Sequence, residues 1–453
     1  MNLPLTRPLT RDVLHKLPAS VLALAVFAVV LLAQWPLASN PGYFSHDELQ
    51  WGFFAAKGAV VDWTALHSFQ YRPLTFDLWS WLSRLLFDRP QAFHTVVVTA
   101  GAANAALLML LGRRLGMTPL AAAAAAVLFA LGPFAMYVHG WVGTLGDLLW
   151  VGFALLLGTV VAGRPHVAVV VLASLLLTTL ALSAKESAVA IPALLVVAWW
   201  CLGRARHWGI AAMVSALPVA LYLAARMGVL LFSPPQGTAY DWSLLHAPQR
   251  WLEYQLFIPN ITAFETGNAF SGGFASKRVL LSALLWVAAM VVLSRAGWRW
   301  AMAFVAGGLA ALGPVLVLGA ATNQYGYAFA ALVTGLLAAV WGRTRGAGRA
   351  LLLGLALLNL WHGINVMREM RQVGEVQAVF SPTLARSLDT AETHAAPLRL
   401  QPAPDAKEWI FRRLTHGIPS YDGVPIGNRV LLVAPDQAAD YRIEADGRLT
   451  PLR

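Results

Sequence analysis

The chain has 453 residues, of which 58% are hydrophobic and 12% charged, with a mean hydropathy of +0.61. A water-soluble body of this size carries roughly a quarter charged residues, so that class is excluded, and so is a disordered chain. The single cysteine, Cys201, excludes an internal disulfide framework, and the net charge of +11 raises nucleic-acid binding until the positions of the basic residues are considered.

Apolar stretches long enough to cross a hydrocarbon core of ~30 Å, about 20 residues each, recur along the chain. They predict spans near 18–38, 92–112, 119–138, 147–163, 166–183, 187–203, 208–232, 279–294, 299–320, 326–342 and 349–366, about eleven in all. Stretch 166–203 is read as two spans because Lys185 and Glu186 lie midway between Arg164 and Arg204. A hairpin puts that pair at one surface and the arginines at the other.

Arg7, Arg11 and Lys16 precede the first span. Alternate loops then hold Arg113 and Arg114, Arg164, Arg204 and Arg206, Arg295 and Arg299, and Arg343, Arg345 and Arg349. The short loops between them, 139–146, 184–186 and 321–325, contain only Lys185. This is a positive-inside pattern, with the N-terminus cytoplasmic and the C-terminus outside. It also accounts for the basicity, since the arginines mark topology and form no nucleic-acid patch. The first span is too long for a signal-peptide core and reads as an uncleaved anchor. The abundance of Arg, Ala and Leu suggests a bacterial cytoplasmic membrane with a periplasmic outer face.

The fold class expected is an all-α polytopic membrane protein carrying a small α+β C-terminal outer module. Residues 1–366 form the transmembrane domain, with outer loops 39–91 and 233–278. The module, 367–453, shows a helix-like stretch at Glu408–Leu414, strand-like runs at Arg429–Val433 and Tyr441–Glu444, and a turn at Asp446-Gly447.

Ionisable groups that apolar helices must hold are the informative ones. Asp47 and Glu48 lie about ten residues beyond the first span. Neighbouring carboxylates on a helix point in different directions, so one can accept a proton while the other orients a ligand. Alternatively, Ser45 is an N-cap and Glu48 completes a capping box, which leaves Asp47 free. Arg72, in Tyr71-Arg72-Pro73-Leu74-Thr75, stands at a turn or helix start because of the proline. From there it either grips a phosphate or carboxylate or snorkels to lipid headgroups.

His139 follows the third span. Asp147 opens the fourth, where it also suits a helix N-terminus. Lys185-Glu186 is either a pair of site residues or an ion pair closing a turn. Arg226 sits about two turns inside the seventh span, where an unpaired cation is costly and a buried anion would repay it. The aromatic loop (Tyr240, Trp242, Trp251, Tyr254, Phe257, Phe264) is placed to cover these groups, or else forms an interfacial belt.

This arrangement resembles the GT-C glycosyltransferases, which include protein O-mannosyltransferases and the aminoarabinose transferases of lipid A. More closely, three motifs over residues 18–232 resemble the membrane half of the transmembrane tetratricopeptide-containing mannosyltransferases. They are Tyr71-Arg72-Pro73-Leu74-Thr75 with Phe93-His94, His139 followed by Asp147-Leu148-Leu149, and Ser183-Ala184-Lys185-Glu186-Ser187. The chain departs from that pattern in having Leu145-Gly146 where those proteins carry Gly-Arg, and in lacking their helical repeats.

The resemblance implies inverting transfer of a sugar from a polyprenyl-phosphate donor to an acceptor hydroxyl on a protein, lipid or glycan outside the membrane. Asp47, seconded by Glu48, would be the catalytic base, and Arg226, Lys185 and Arg72 would hold the donor phosphate. Tyr71, His139, Asp147 and Glu186 would bind substrate or support the site. No cofactor is expected, and no clustered ligands beyond Asp47-Glu48 argue for a metal. Two rival readings are a transporter or flippase of lipid-linked sugars and an O-antigen polymerase or ligase. The former needs polar helices at the midplane, where only Asn104 and Asn359 stand out. The latter needs a late outer loop richer in arginine and histidine than His246, Arg250 and Arg278 make this one.

Overall fold

The computed structural model describes residues 17–232, 240–260, 265–270, 273–390 and 397–452. Arg7, Arg11, Lys16 and Phe264, singled out above, lie outside the described residues.

Each apolar stretch is helical, since a backbone in hydrocarbon must satisfy its own polar groups. The helices in order are α1 (Ala19–Ala33), α2 (His46–Ala56), α3 (Pro73–Leu86), α4 (Pro90–Arg114), α5 (Pro119–Ala130), α6 (Pro133–Gly140), α7 (Leu145–Ala162) and α8 (Val167–Ala184). They continue with α9 (Ile191–Cys201), α10 (Arg206–Phe232), α11 (Ala247–Phe257), α12 (Lys277–Ala296), α13 (Trp298–Leu312), α14 (Tyr327–Val340) and α15 (Ala347–Thr390). The chain is an integral membrane protein. Among the described residues seven helices are long and apolar enough to cross a membrane, or eight if the bent pair α5–α6 is one span; 19–33 and 186–201 are shorter apolar helices. The expected count of eleven is therefore larger than the number that qualifies by length and hydropathy.

The stretch expected as one span at 119–138 is bent by 57° between α5 and α6. Pro133 opens α6 and has no N–H to continue the ladder. The side-chain amide of Asn359 donates to the Leu128 carbonyl at 2.8 Å, satisfying an acceptor beside the break. Gly363 of α15 packs directly on the Leu131 carbonyl, where any side chain would collide. The chain also breaks at Lys185, which is extended (φ −159°, ψ 142°) and separates α8 from the turn leading into α9.

α15 does not end at the expected limit of 366. It runs on as one helix to Thr390, and the outer segments are built against that extension. Tyr43 donates its backbone N–H to Gln377 Oε1 at 2.8 Å, and the Asn40 amide donates to the Met370 carbonyl at 3.1 Å. The C-terminal module contains α16 (Glu408–Thr415) and a four-stranded sheet in the order β4-β1-β5-β6. Its strands are β1 (Leu398–Pro402), β4 (Val430–Leu432), β5 (Tyr441–Ile443) and β6 (Leu449–Pro451), and a β2–β3 hairpin (Ser420–Tyr421, Val424–Pro425) lies between α16 and β4.

β1 pairs in parallel with β4 and β5, while β5 and β6 are antiparallel around the Asp446-Gly447 turn. Gly447 has φ of 90° and sits against the Val376 carbonyl, 2.7 Å from where a Cβ would be, so only glycine serves there. Phe411 packs edge-on to Phe380, and Lys407 reaches Glu369 Oε1 at 2.7 Å. The module is thus fastened along α15.

Candidate active site

The first outer loop begins with Ser45 in an extended conformation, its Oγ accepting the Asp47 N–H at 3.3 Å to start α2. The capping-box role considered for Glu48 is not realised, because neither carboxyl oxygen accepts the Ser45 N–H. Successive residues on a helix diverge, and the pair divides accordingly. The Asp47 side chain keeps 35% of its exposure and lies 3.2 Å from His46 Nε2. Glu48 is 1% exposed, and neither of its carboxyl oxygens has a hydrogen-bond partner among the described residues. Burial first, and then the Asp47 carboxylate, push the Glu48 pKa up to about 8, against the opposing pull of Arg413 and the Trp141 indole N–H.

What covers this pair is the C-terminal module. The guanidinium of Arg413, on α16, lies over the Phe44 ring at 4.3 Å and the Trp141 ring at 4.8 Å. His416 meets His46 edge-on at 5.3 Å, and the Gln50 amide donates to the Gly417 carbonyl at 2.8 Å. The His46 pKa is lowered by burial first, and further by Arg413 and His416, while Asp47 works the other way.

The aromatic loop divides between the site and the bundle: Tyr240 packs edge-on to Phe69 and lies within electrostatic range of Arg72, and the other rings pack inward. Phe257 contacts Phe134 and His362, Trp251 contacts Phe329, and the Tyr254 hydroxyl donates to the Thr322 carbonyl at 3.0 Å. Glu265 from the same loop comes within electrostatic range of Arg413.

A second cluster lies beside α3. Arg72 precedes Pro73 at the helix start and donates from Nε to Glu186 Oε2 at 2.8 Å. Lys185 donates to Asp147 with both side chains buried, and its ammonium lies 5.0 Å from the Tyr325 ring centre. The Thr75 hydroxyl ties α3 to the end of α8 through the Ala184 carbonyl at 2.7 Å. Gly146 is packed against that carbonyl, 2.9 Å from where a Cβ would lie, which explains a small residue at this position.

Arg226 is fully buried and donates to the carbonyls of Leu66, Ser68 and Phe69 at 2.7–2.8 Å, between the rings of Tyr71 and Tyr222. Its guanidinium thus clamps the 66–69 turn instead of opening into a cavity. Tyr71 supports the same loop by donating to the Trp63 carbonyl at 2.7 Å. Arg72 pairs with Glu186 and Lys185 with Asp147, so these four groups carry no net charge, while Arg226 is turned to the 66–69 carbonyls.

His139 sits inside the bundle, in a network whose protons can be assigned. The Gln34 amide nitrogen donates to the Ala130 carbonyl, so Gln34 Oε1 must accept from His139 Nδ1 at 2.9 Å. His139 Nε2 then accepts from the Tyr327 hydroxyl at 2.9 Å, and that oxygen accepts from Asn104 at 3.1 Å. The remaining Asn104 proton goes to the Leu148 carbonyl. Geometry thus favours the structural alternative for His139.

An apolar groove of about 1190 Å³ runs between α5, α12, α13, α14 and α15, from Arg343 and Arg349 at one end to Tyr254 and Pro259 at the other. Tyr254 there is within electrostatic range of Asp147. Among the described residues no three His, Cys, Asp or Glu side chains converge as metal ligands.

No family model matches the chain, and no curated protein matches it. Among solved structures, the crystal structure of ArnT from Cupriavidus metallidurans bound to undecaprenyl phosphate is similar, with a TM-score of 0.49 and 14% identity over 91% of this chain and 86% of that chain.

Proposed function

We propose that the chain is an inverting, GT-C-type glycosyltransferase that moves a sugar from a polyprenyl-phosphate donor to an acceptor hydroxyl on the outer, periplasmic side of a bacterial cytoplasmic membrane, with its N-terminus in the cytoplasm. The acceptor oxygen attacks the anomeric carbon from the face opposite the phosphate. The C–O bond to the phosphate breaks, and the lipid phosphate leaves with the electron pair. Asp47 takes the acceptor proton, because it is the member of the pair that a substrate can reach. Glu48, buried and preferring its protonated form, is a neutral neighbour and not the base.

The observation that carries this reading is the juxtaposition of a reachable carboxylate with two largely buried cations, Arg72 and Lys185, at one end of the bundle. α2 packs on α3, whose first turn follows Arg72, and Trp141 and Asp147, six residues apart, belong to the two groups. Cations held by their carboxylate partners in a low-dielectric site suit a departing phosphate. Lys185 and Arg72 are its donors in this reading, with Asp147 and Glu186 holding them in place; Arg226 and Tyr71 shape the loop. The groove is suited to the prenyl chain. Transport is disfavoured because the two midplane amides, Asn104 and Asn359, are spent on backbone carbonyls.

Asp47→Asn tests the assignment. With undecaprenyl-phosphate mannose as donor probe, turnover should fall about 10²–10⁴-fold while donor binding is kept. Wild-type turnover by that variant removes Asp47 from the mechanism.

A further inference from the structure

The pair Asp47–Glu48 is walled on its open side by a residue some 366 positions away in sequence, Arg413. Its guanidinium carbon lies 4.3 Å from the Phe44 ring centre and 4.8 Å from that of Trp141, and the group also reaches the Tyr137 hydroxyl. Among the described residues it joins no ion pair, and its Nε is buried without a partner. The Trp141 indole N–H faces the Glu48 carboxyl beneath it without meeting hydrogen-bond geometry, and neither Glu48 oxygen has a closer partner among the described residues. At the mouth of this seam stand Asp47, His46 and the exposed His416.

A carboxylate on one wall of the seam and a guanidinium on the other present an acceptor opposite donors. An isolated hydroxyl uses only one of these. Neighbouring hydroxyls on a ring use both, one giving its proton to the carboxylate while the oxygen of the next accepts from the guanidinium.

We propose that the seam between α2 and α16 is the acceptor subsite, that Arg413 is its specificity-determining residue, and that the acceptor is a polyhydroxylated ring, a glycan and not a serine or threonine side chain. The proposal rests on the glycosyltransferase reading, whose acceptor class it names. The C-terminal module is accordingly part of the active site.

The test reads occupancy without turnover. The full chain in phosphatidylethanolamine–phosphatidylglycerol nanodiscs is treated with diethyl pyrocarbonate, and modification of His46 and His416 is followed by mass spectrometry. Methyl α-mannopyranoside as probe should slow modification of both histidines in the wild type. It should do so equally in Arg412→Gln, whose partner is Glu408 on the exposed face. In Arg413→Gln the same protection should need about tenfold more glycoside or higher, as expected for losing a hydrogen bond to a charged group.

If Arg413→Gln undocks the module, both histidines react faster with no glycoside present. Arg413→Lys, which keeps the charge but not the fork, then carries the comparison and should fall between the two. No protection in the wild type, equal protection in the Arg413 variants, or protection by a serine- and threonine-containing peptide in place of the glycoside overturns the proposal. Protection by undecaprenyl phosphate alone would assign the seam to the donor and overturn it as well. Absence of sugar transfer in a separate turnover assay counts against the glycosyltransferase reading and leaves this binding result standing.

Discussion

Replacing Glu48 by Gln should stabilise the protein at alkaline pH and leave it unchanged in acid. The carboxyl is 1% exposed, and its pKa stands at about 8 against an ordinary 4.5. The folded state therefore binds this proton more tightly than the unfolded state. The stabilisation linked to that proton is complete below about pH 4.5 and is lost as pH rises through about 8. Each pH unit in the window is worth ~1.4 kcal/mol, so the loss amounts to roughly 3–6 kcal/mol at pH 9. The charges facing the group are Asp47, which deepens the effect, and Arg413, which moderates it.

An amide of the same shape mimics the protonated acid and does not titrate. Thermal unfolding of the purified chain, followed by tryptophan fluorescence from pH 5 to pH 9, should show wild-type and Glu48→Gln melting together at pH 5. The variant should melt several degrees higher at pH 9. Parallel pH profiles, or a variant less stable at every pH, would mean that Glu48 is held as a paired carboxylate and would refute the reasoning.

Lys185→Ala leaves the buried Asp147 carboxylate uncompensated and should cost about 3–5 kcal/mol, visible as a lower melting temperature. The double change Lys185→Met with Asp147→Leu should restore most of that stability yet bind undecaprenyl phosphate poorly; retained binding would separate the pair from the donor site. Arg226→Ala removes three charge-assisted hydrogen bonds from the 66–69 turn and should raise proteolytic cleavage there, with a smaller effect on lipid binding. In a chain with Cys201 replaced by Ser, cysteines at Val60 and Asn428 should both react with an impermeant thiol reagent from the outer side. Opposite sidedness would break the proposed topology.

Helix positions were legible in the sequence because hydrocarbon allows an apolar run little else. The bend at Pro133 was not, since its compensation comes from Asn359, more than 200 residues on. The divergence of Asp47 and Glu48 follows from helical geometry alone, but which of the two is buried depends on what lies above them. That cover, Arg413, is one of two adjacent arginines in an ordinary amphipathic turn, and nothing local distinguishes it from Arg412.

Arg226 showed the opposite case. A cation inside an apolar helix signals a buried partner, yet backbone carbonyls leave no trace in sequence and an anion was the natural guess. In the tail, β4, β5 and the Asp446-Gly447 turn were readable from residue type and turn chemistry, whereas β1 and β6 take their identity from the strands they pair with.

α15 has 44 residues without interruption, about 66 Å of helix, against a hydrocarbon core of ~30 Å. Roughly half of it is a mast standing clear of the lipid, with the first outer loop lashed to one part and the C-terminal module to another. A mast turns with its foot. A tilt of about 5° displaces a point ~30 Å up the helix by roughly 2.6 Å, comparable to a hydrogen-bond length, and such tilts are how spans accommodate bilayer thickness. Both walls of the seam ride on this one helix, so a change in tilt carries Asp47 and Arg413 together and their spacing is preserved. The Lys185 cluster is set in α7, α8 and the turn between α8 and α9, and it is tied to the same outer loop through Arg72 and Thr75. The first outer loop is therefore moored both to the mast and to the cations, and it couples the two as the helix tilts.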